Sequence, residues 1–314
     1  MNGLGASYEC TRMLKQTNSS KSVQLRALLQ PGRLGFLMGA HDGLSTRIAE
    51  RAGFDGIWGS SLCISAALGM RDRNEVSWTL LLDVAELMNE STRLPILLDA
   101  DEGHGDFNNA RRLVARASQR GIAGVSIEDK RFPKRNSLLD GPQGLASADE
   151  FCGKIRACRE ACLDPHFVLV ARTEALVVGD TVDEALRRAE RYVDAGADAI
   201  IVHSRSPVVD QIVSFMRSWQ AAAPVIVIPT TYPDTPAEVF EDLGVSAVIW
   251  ANHSLRAAAF AMQAVCAKIA LRESALGLDG EILPVPEIFE LLDQPELDEA
   301  ELRYATGLRE HDPS

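Results

Sequence analysis

The hydrophobic pattern along the chain repeats one unit. A helical stretch with one polar face ends at a glycine, two or three residues pass, and a short apolar run begins and finishes in polar residues. The unit is legible in AGFDGIWGSS (52–61), RGIAGVSIEDK (120–130), AGADAIIVHSR (195–205) and LGVSAVIWANH (243–253). Glycine suits the left-handed position just past a helix end. Between these lie GRLGFLMGAHD (32–42), LPILLDADEG (94–103), HFVLVARTEA (166–175) and APVIVIPTT (223–231), which brings the candidate strands to eight.

The intervening segments carry apolar residues at helical spacing, clearest over 45–52, 78–89, 108–120, 148–162, 181–195 and 209–221. Thr181-Val-Asp-Glu184 predicts a capping box at the start of its helix. Strands that are almost entirely apolar are buried on both faces, which indicates a parallel sheet covered by its crossover helices. Eight such units predict an α/β (β/α)8 TIM barrel. No GxGxxG follows the first strand and there is no P-loop, which weakens a nucleotide-binding open sheet.

Residues 1–24 predict a polar N-terminal arm, and 25–314 a single barrel domain with a C-terminal helical extension. The extension is helical from 254 to about 276, and GEILPVPEIFELLDQPELDEAELRYA adds one or two short helices beyond the eighth strand. These are placed to pack on a neighbouring subunit.

Composition narrows the function classes. The chain has 314 residues, 46% of them hydrophobic, enough for a substantial core. A net charge of −12 argues against a nucleic-acid or anionic-membrane surface, though a local site can still take an anionic substrate. No apolar run approaches the roughly 18 residues of a membrane span. The first 22 residues lack the apolar core of a secretory signal. The six cysteines show no paired spacing and predict reduced core thiols in a cytoplasmic protein.

In a barrel, chemistry gathers at the C-terminal ends of the strands. Here those ends carry His41-Asp42, Ser60-Ser61, Asp99 and Asp101, Glu128, Arg172 and Glu174, His203-Ser204, Thr230 and Asn252-His253, while the opposite ends are apolar or glycine-rich. Asp99 and Asp101, two apart along a strand, are expected on one side. With Glu128 they form an oxygen-only set suited to Mg²⁺ or Mn²⁺. A solvated acidic loop is the alternative.

The stretch from Glu128 to Ser137 carries Lys130, Arg131, Lys134 and Arg135 with Asn136 and Ser137. It reads as a lid that closes over an anion and excludes water, or else as a solvated basic loop. Arg172, after an apolar run and aimed inward, needs an anionic partner. His203 is either a site residue or a core histidine satisfied by backbone.

AHDGLS (40–45), AGFDGIW (52–58), RDRNEVSWT (71–79), LPILLDAD (94–101), EDKRFPKRNS (128–137), VARTEA (170–175) and VIWANH (248–253) together resemble the phosphoenolpyruvate mutase family, within the superfamily that includes isocitrate lyase. The resemblance runs from about 32 to 305. It implies intramolecular transfer of a phosphoryl group between the enol oxygen of phosphoenolpyruvate and C3, giving phosphonopyruvate, as used in phosphonate biosynthesis. It implies that Asp99 binds Mg²⁺ directly, with Asp101, Glu128 and Asp72 holding the ion's water shell. Trp58, Ser60, Ser61 and Leu62 would line the pyruvyl end. Arg172, His203, Asn136 and Ser137 would grip the phosphoryl oxygens, and Lys134 would ride on the gating lid. A homotetramer, a dimer of dimers with exchanged C-terminal helices, is also implied.

Carbon–carbon lyases of the superfamily carry a cysteine in this lid; KRNSLL (134–139) has none. Phosphonopyruvate hydrolase is the nearer rival, its lid usually having Thr where this chain has Asn136. The chain also departs from the mutase pattern Asp-Gly-Asp-Thr-Gly-Tyr-Gly-Asn. Glu102, His104 and Asp106 replace Thr, Tyr and Asn, and Ser61 replaces a glycine. These changes leave open a different 2-oxo or 2-hydroxy dicarboxylate, such as oxaloacetate, as substrate.

Overall fold

The computed structural model describes residues 19–221 and 223–305. The chain opens with α1 (Lys21–Leu28), β1 (Gly35–Ala40), α2 (Gly43–Arg51), β2 (Gly56–Gly59), α3 (Ser61–Ala67) and α4 (Trp78–Glu90). It continues through β3 (Ile96–Asp99), α5 (Phe107–Gln119), β4 (Gly124–Glu128), α6 (Ala148–Ala161), β5 (Val168–Thr173) and α7 (Val182–Asp194). Then come β6 (Ala199–Val202), α8 (Asp210–Ser218), β7 (Val225–Val227), α9 (Ala237–Asp242) and β8 (Ala247–Trp250). Helices α10 (His253–Arg272), α11 (Val285–Leu291) and α12 (Gln294–Tyr304) follow.

The eight strands close in sequence order into a parallel barrel, β8 pairing with β1 through Gly35↔Ala247 and Met38↔Trp250. Alternation along each strand divides the core in two. Leu37, Trp58, Leu97, Val168, Val170, Ile201, Ile226 and Ile249 fill the interior. Ile57, Leu98, Val125, Leu169, Ile200 and Val248 face the surrounding helices. Every expected strand is present, because fully buried parallel strands leave unbroken apolar runs that no helix period imitates.

Of the arm expected at 1–24, residues 1–18 lie outside those described. Residues from Lys21 onward form α1, opened by Ser20, whose hydroxyl accepts from Val23 N–H. Leu25 and Leu29 of this segment pack into the barrel's interior core and plug its N-terminal end. Two apolar anchors in so short a helix produce little periodicity, which hides it in sequence. The short helices α3 and α9 escape the periodicity reading for the same reason.

Thr181 caps α7 by accepting from Glu184 N–H, but Glu184 turns away to pair with Arg187 and Arg188, so the expected capping box is half formed. A reciprocal box stands instead at Asp42 and Ser45. Helix α10 is the longest of the described helices. Its 20 residues, with a window of mean hydropathy 1.3, are long and apolar enough to cross a membrane by length and composition. Arg256, Gln263 and Lys268 interrupt the run and conceal this from a count of consecutive apolar residues.

Candidate active site

The same alternation that fills the barrel with Leu97 and Val170 aims Asp99 and Arg172 inward at the strand ends. They open onto a pocket lined by Trp58, Ser60, Leu62, Asp72, Asp99, Glu128, Lys134, Asn136, Ser137, Arg172 and His203, with Leu138, Ile228, Thr230, Ala251 and Asn252. Of the residues singled out in sequence, Ser61 and Asp101 lie just behind this lining. Asp101 does not arrive by strand alternation, as expected. Strand β3 ends at Asp99, and Asp101 sits in a left-handed turn at φ 53°. Its carbonyl accepts from Glu128 N–H at 2.7 Å, which ties the ends of β3 and β4 together.

The acidic cluster has a positive partner within the chain. Lys134 Nζ lies 2.5 Å from Asp101 Oδ1 and 2.8 Å from Asp72 Oδ1. It also donates to Ser61 Oγ at 3.2 Å, and Ser61 donates to Asp99 Oδ2 at 2.9 Å. The Ser61 side chain therefore links Lys134 to the Asp99 carboxylate. Burial alone would lower the Lys134 pKa, but the carboxylates of Asp101, Asp72, Asp99 and Glu128 more than offset it and hold the ammonium charged. Burial raises Asp99, whereas in Asp101 the burial effect is overcome by Lys134. Burial pushes Glu128 up to about 8, and its Oε1 is buried without a hydrogen-bond partner.

The opposite wall is organised by Glu174, which is wholly buried. Its Oε1 accepts from Arg172 Nε at 2.5 Å and lies 2.9 Å from His203 Nδ1. Its Oε2 takes Ser137 Oγ at 2.5 Å and Lys130 Nζ at 3.0 Å. Arg172 Nη2 also lies 2.7 Å from His203 Nδ1, so that nitrogen either accepts from Arg172 or donates to Glu174, not both. Burial would raise the Glu174 pKa, yet the cations of Arg172 and Lys130, with His203 beside them, hold it well below the ordinary range. Burial, then Arg172, lowers His203.

Two residues of the 128–137 loop thus reach opposite walls, Lys134 to the acids and Ser137 to Glu174. Between them Asn136 donates to Asp72 Oδ2 at 2.5 Å. The three departures from the family pattern prove unalike, and none lines the pocket. Asp106 is the N-cap of α5, accepting from Asn108 and Asn109 N–H at 2.9 and 3.1 Å. His104, left-handed at φ 54°, brings Nε2 to 3.5 Å from Asp101 Oδ2. Glu102 is fully buried and receives the side-chain amide of Asn74.

Sequence reasoning named Glu174 among the strand-end groups but gave it no role, and it did not single out Asn74. Glu174 had a signal, lying two residues past Arg172 and just beyond the end of β5. Asn74, in a loop, had none. Cys63 on α3 is buried and pushed up to about 11 by burial, and 128–137 carries no cysteine.

A sequence model of the family described as phosphoenolpyruvate phosphomutase matches residues 25–270. A phosphoenolpyruvate phosphomutase of Tetrahymena pyriformis is 48% identical over 289 residues, 92% of this chain and 96% of the relative. The crystal structure of a phosphoenolpyruvate phosphomutase from Streptomyces platensis subsp. rosaceus superimposes with a TM-score of 0.88 at 42% identity, covering 90% of this chain and 99% of that one. A phosphonopyruvate hydrolase in complex with oxalate and Mg²⁺ superimposes with a TM-score of 0.86 at 36% identity, covering 91% and 100%. The chain belongs to the phosphoenolpyruvate phosphomutase family, and it is an enzyme of the isomerase class.

Proposed function

We propose that the enzyme interconverts phosphoenolpyruvate and phosphonopyruvate by a Mg²⁺-dependent intramolecular phosphoryl transfer, in the service of phosphonate biosynthesis. The observation that carries this reading is the lid, which bridges an acidic wall through Lys134 and a cationic wall through Ser137 without supplying a thiol. One wall suits a divalent ion and the other an anionic phosphoryl group. In the reaction the bond from the enol oxygen to phosphorus breaks and a bond from C3 to phosphorus forms, with no net proton change.

The donor set fits Mg²⁺ or Mn²⁺. It is made of oxygens, it includes the unpartnered buried Glu128 Oε1, and among the described residues no three acidic, His or Cys side chains form a ready-made metal cage. Mg²⁺ characteristically takes one or two carboxylates and keeps waters for the rest. Asp99 would be the direct ligand, with Asp101, Glu128 and Asp72 holding water. When bound, the ion supplies positive charge beside the pyruvate enolate.

The chain's own residues do the rest. Trp58, Ser60, Ser61 and Leu62 hold the pyruvyl end, where backbone N–H groups at the start of α3 bind its carboxylate. Arg172, His203, Asn136 and Ser137 hold the phosphoryl oxygens during a loose, metaphosphate-like transfer. Lys134 and the lid keep water from intercepting it. Glu102, His104 and Asp106 stand off the pocket lining, which removes the observation that favoured another dicarboxylate such as oxaloacetate.

Phosphonopyruvate hydrolysis is the second reading, favoured by the likeness to a phosphonopyruvate hydrolase. Phosphorus NMR of the enzyme with phosphonopyruvate and Mg²⁺ separates the two. Growth of phosphoenolpyruvate supports the mutase; stoichiometric inorganic phosphate establishes the hydrolase.

We also propose a homotetramer, a dimer of dimers, with C-terminal helices exchanged between subunits. Support comes from α10, where Phe260, Met262 and Leu271 are exposed and no residue is buried. Apolar surface of this extent marks an interface. Light scattering should give four times the 34.1 kDa chain mass. The described cysteines are all free, which supports a cytoplasmic setting.

A further inference from the structure

The loop after α3 places one amide between the 128–137 segment and the loop following β3, beside the ion pair of Lys134 with Asp101. Asn74 Nδ2 lies 3.2 Å from Asp101 Oδ2, and 3.3 and 3.2 Å from the two oxygens of Glu102. On the same amide, Oδ1 accepts the backbone N–H of Lys134 at 2.8 Å. We propose that Asn74 is a positioning residue, a latch that ties the lid to the loop following β3, with Glu102 as its buried anchor. The proposal rests on the reading of 128–137 as a lid.

Three features argue that this bridge is built. First, Asn74 holds a left-handed backbone at φ 55°, a conformation asparagine tolerates and most side chains resist. Second, the anchor is immobile. Glu102 is wholly buried, and Lys154 Nζ grips the carbonyls of Glu102 and Gly105 at 2.6 and 2.9 Å from α6. Third, the groups on either side have opposite needs. The carboxylates of Glu102 and Asp101 want a donor, and the Lys134 N–H wants an acceptor. A planar primary amide offers both at once.

The latch acts through Lys134. Fixing its backbone places Nζ among Asp72, Asp101 and Ser61. Releasing it frees the lid to open and admit water to the pocket. One hydrogen bond of about 1.4 kcal/mol corresponds to about tenfold in the opening equilibrium.

Hydrogen exchange of the full-length protein without substrate tests this directly. Asn74→Gly removes the amide while suiting the left-handed backbone. It should speed exchange of the 130–137 segment about tenfold, leaving β3 and β4 unchanged. Glu102→Gln retains an oxygen that accepts from Asn74, and its lid should exchange within about twofold of the wild type. Unchanged lid exchange in Asn74→Gly would overturn the proposal. So would acceleration spread equally over β3 and β4, because that means lost stability rather than a lost latch. As a second readout, the Asn74→Gly enzyme should release a larger share of inorganic phosphate from phosphonopyruvate than the wild type. If the wild type does not turn over phosphonopyruvate, the functional reading fails; the exchange result stands apart from that outcome.

Discussion

His203 Nδ1 lies 2.9 Å from Glu174 Oε1, and the same buried carboxylate is where Arg172, Lys130 and Ser137 converge. A single acid therefore sets the positions of four groups on the wall proposed to hold the phosphoryl end. Glu174→Gln keeps the shape but removes the charge that balances Arg172 and Lys130. We expect kcat/KM to fall about 10²- to 10³-fold, as when a preorganised electrostatic contact is lost. Glu174→Ala should also destabilise the fold by about 3–5 kcal/mol, the cost of leaving buried cations unpaired. Steady-state kinetics and thermal unfolding measure the two effects. Full activity in Glu174→Gln would remove Glu174 from the grip.

Lys134 and a divalent ion would both supply positive charge to the same carboxylates. Lys134→Met should therefore lower the unfolding temperature more in chelator than in saturating Mg²⁺, where the ion supplies the missing charge. Calorimetry under both conditions gives the comparison, and an equal loss in each would show that the ion does not serve these acids. Turnover should fall about 10²-fold or more in either Mg²⁺ or Mn²⁺, because the lid loses its hold on the site.

Asp99 is the inward carboxylate at the end of β3, with Ser61 donating to it. Asp99→Asn preserves the size and one acceptor oxygen but removes the charge. Mg²⁺ affinity should drop at least about tenfold by isothermal titration while the unfolding midpoint is kept or raised, since a buried like-charge cluster loses one member. Unaltered affinity would move the ion elsewhere.

Burial, reinforced by Asp101, pushes Glu102 up to about 7 from an ordinary value near 4.5. A raised folded pKa on a carboxyl means the unfolded chain ionises first. Stability is full below the ordinary value, falls as pH rises from there to about 7, and then levels off. Glu102→Gln removes this penalty. In metal-free protein the variant should match the wild type near pH 4.5 and exceed it above about pH 7, by a few kcal/mol at most. Denaturant titrations across that range decide it; a gap independent of pH would mean that Glu102 does not titrate in this window.

Much of this protein could be read without coordinates. The barrel was legible because parallel strands buried on both faces must be continuous apolar runs, and because a helix must end before each one. The inward-aimed Asp99 and Arg172 followed from the same alternation, carried one step past Leu97 and Val170. Where local rules governed, as at the Thr181 cap, sequence came close. It missed α1, whose two leucines matter only because the bottom of a barrel stands open to receive them.

Tertiary structure alone decided the partners. Sequence could show that Asp99, Asp101 and Glu128 needed a positive charge, but not that Lys134 delivers one from a loop 33 residues beyond Asp101. It could not separate Asp106, a helix cap at the surface, from Glu102, buried against Asn74 only four positions earlier. Sequence determines which groups are present and which way a strand turns them. Which of them meet is fixed by loops with no period, whose contacts form only when the barrel brings its ends together.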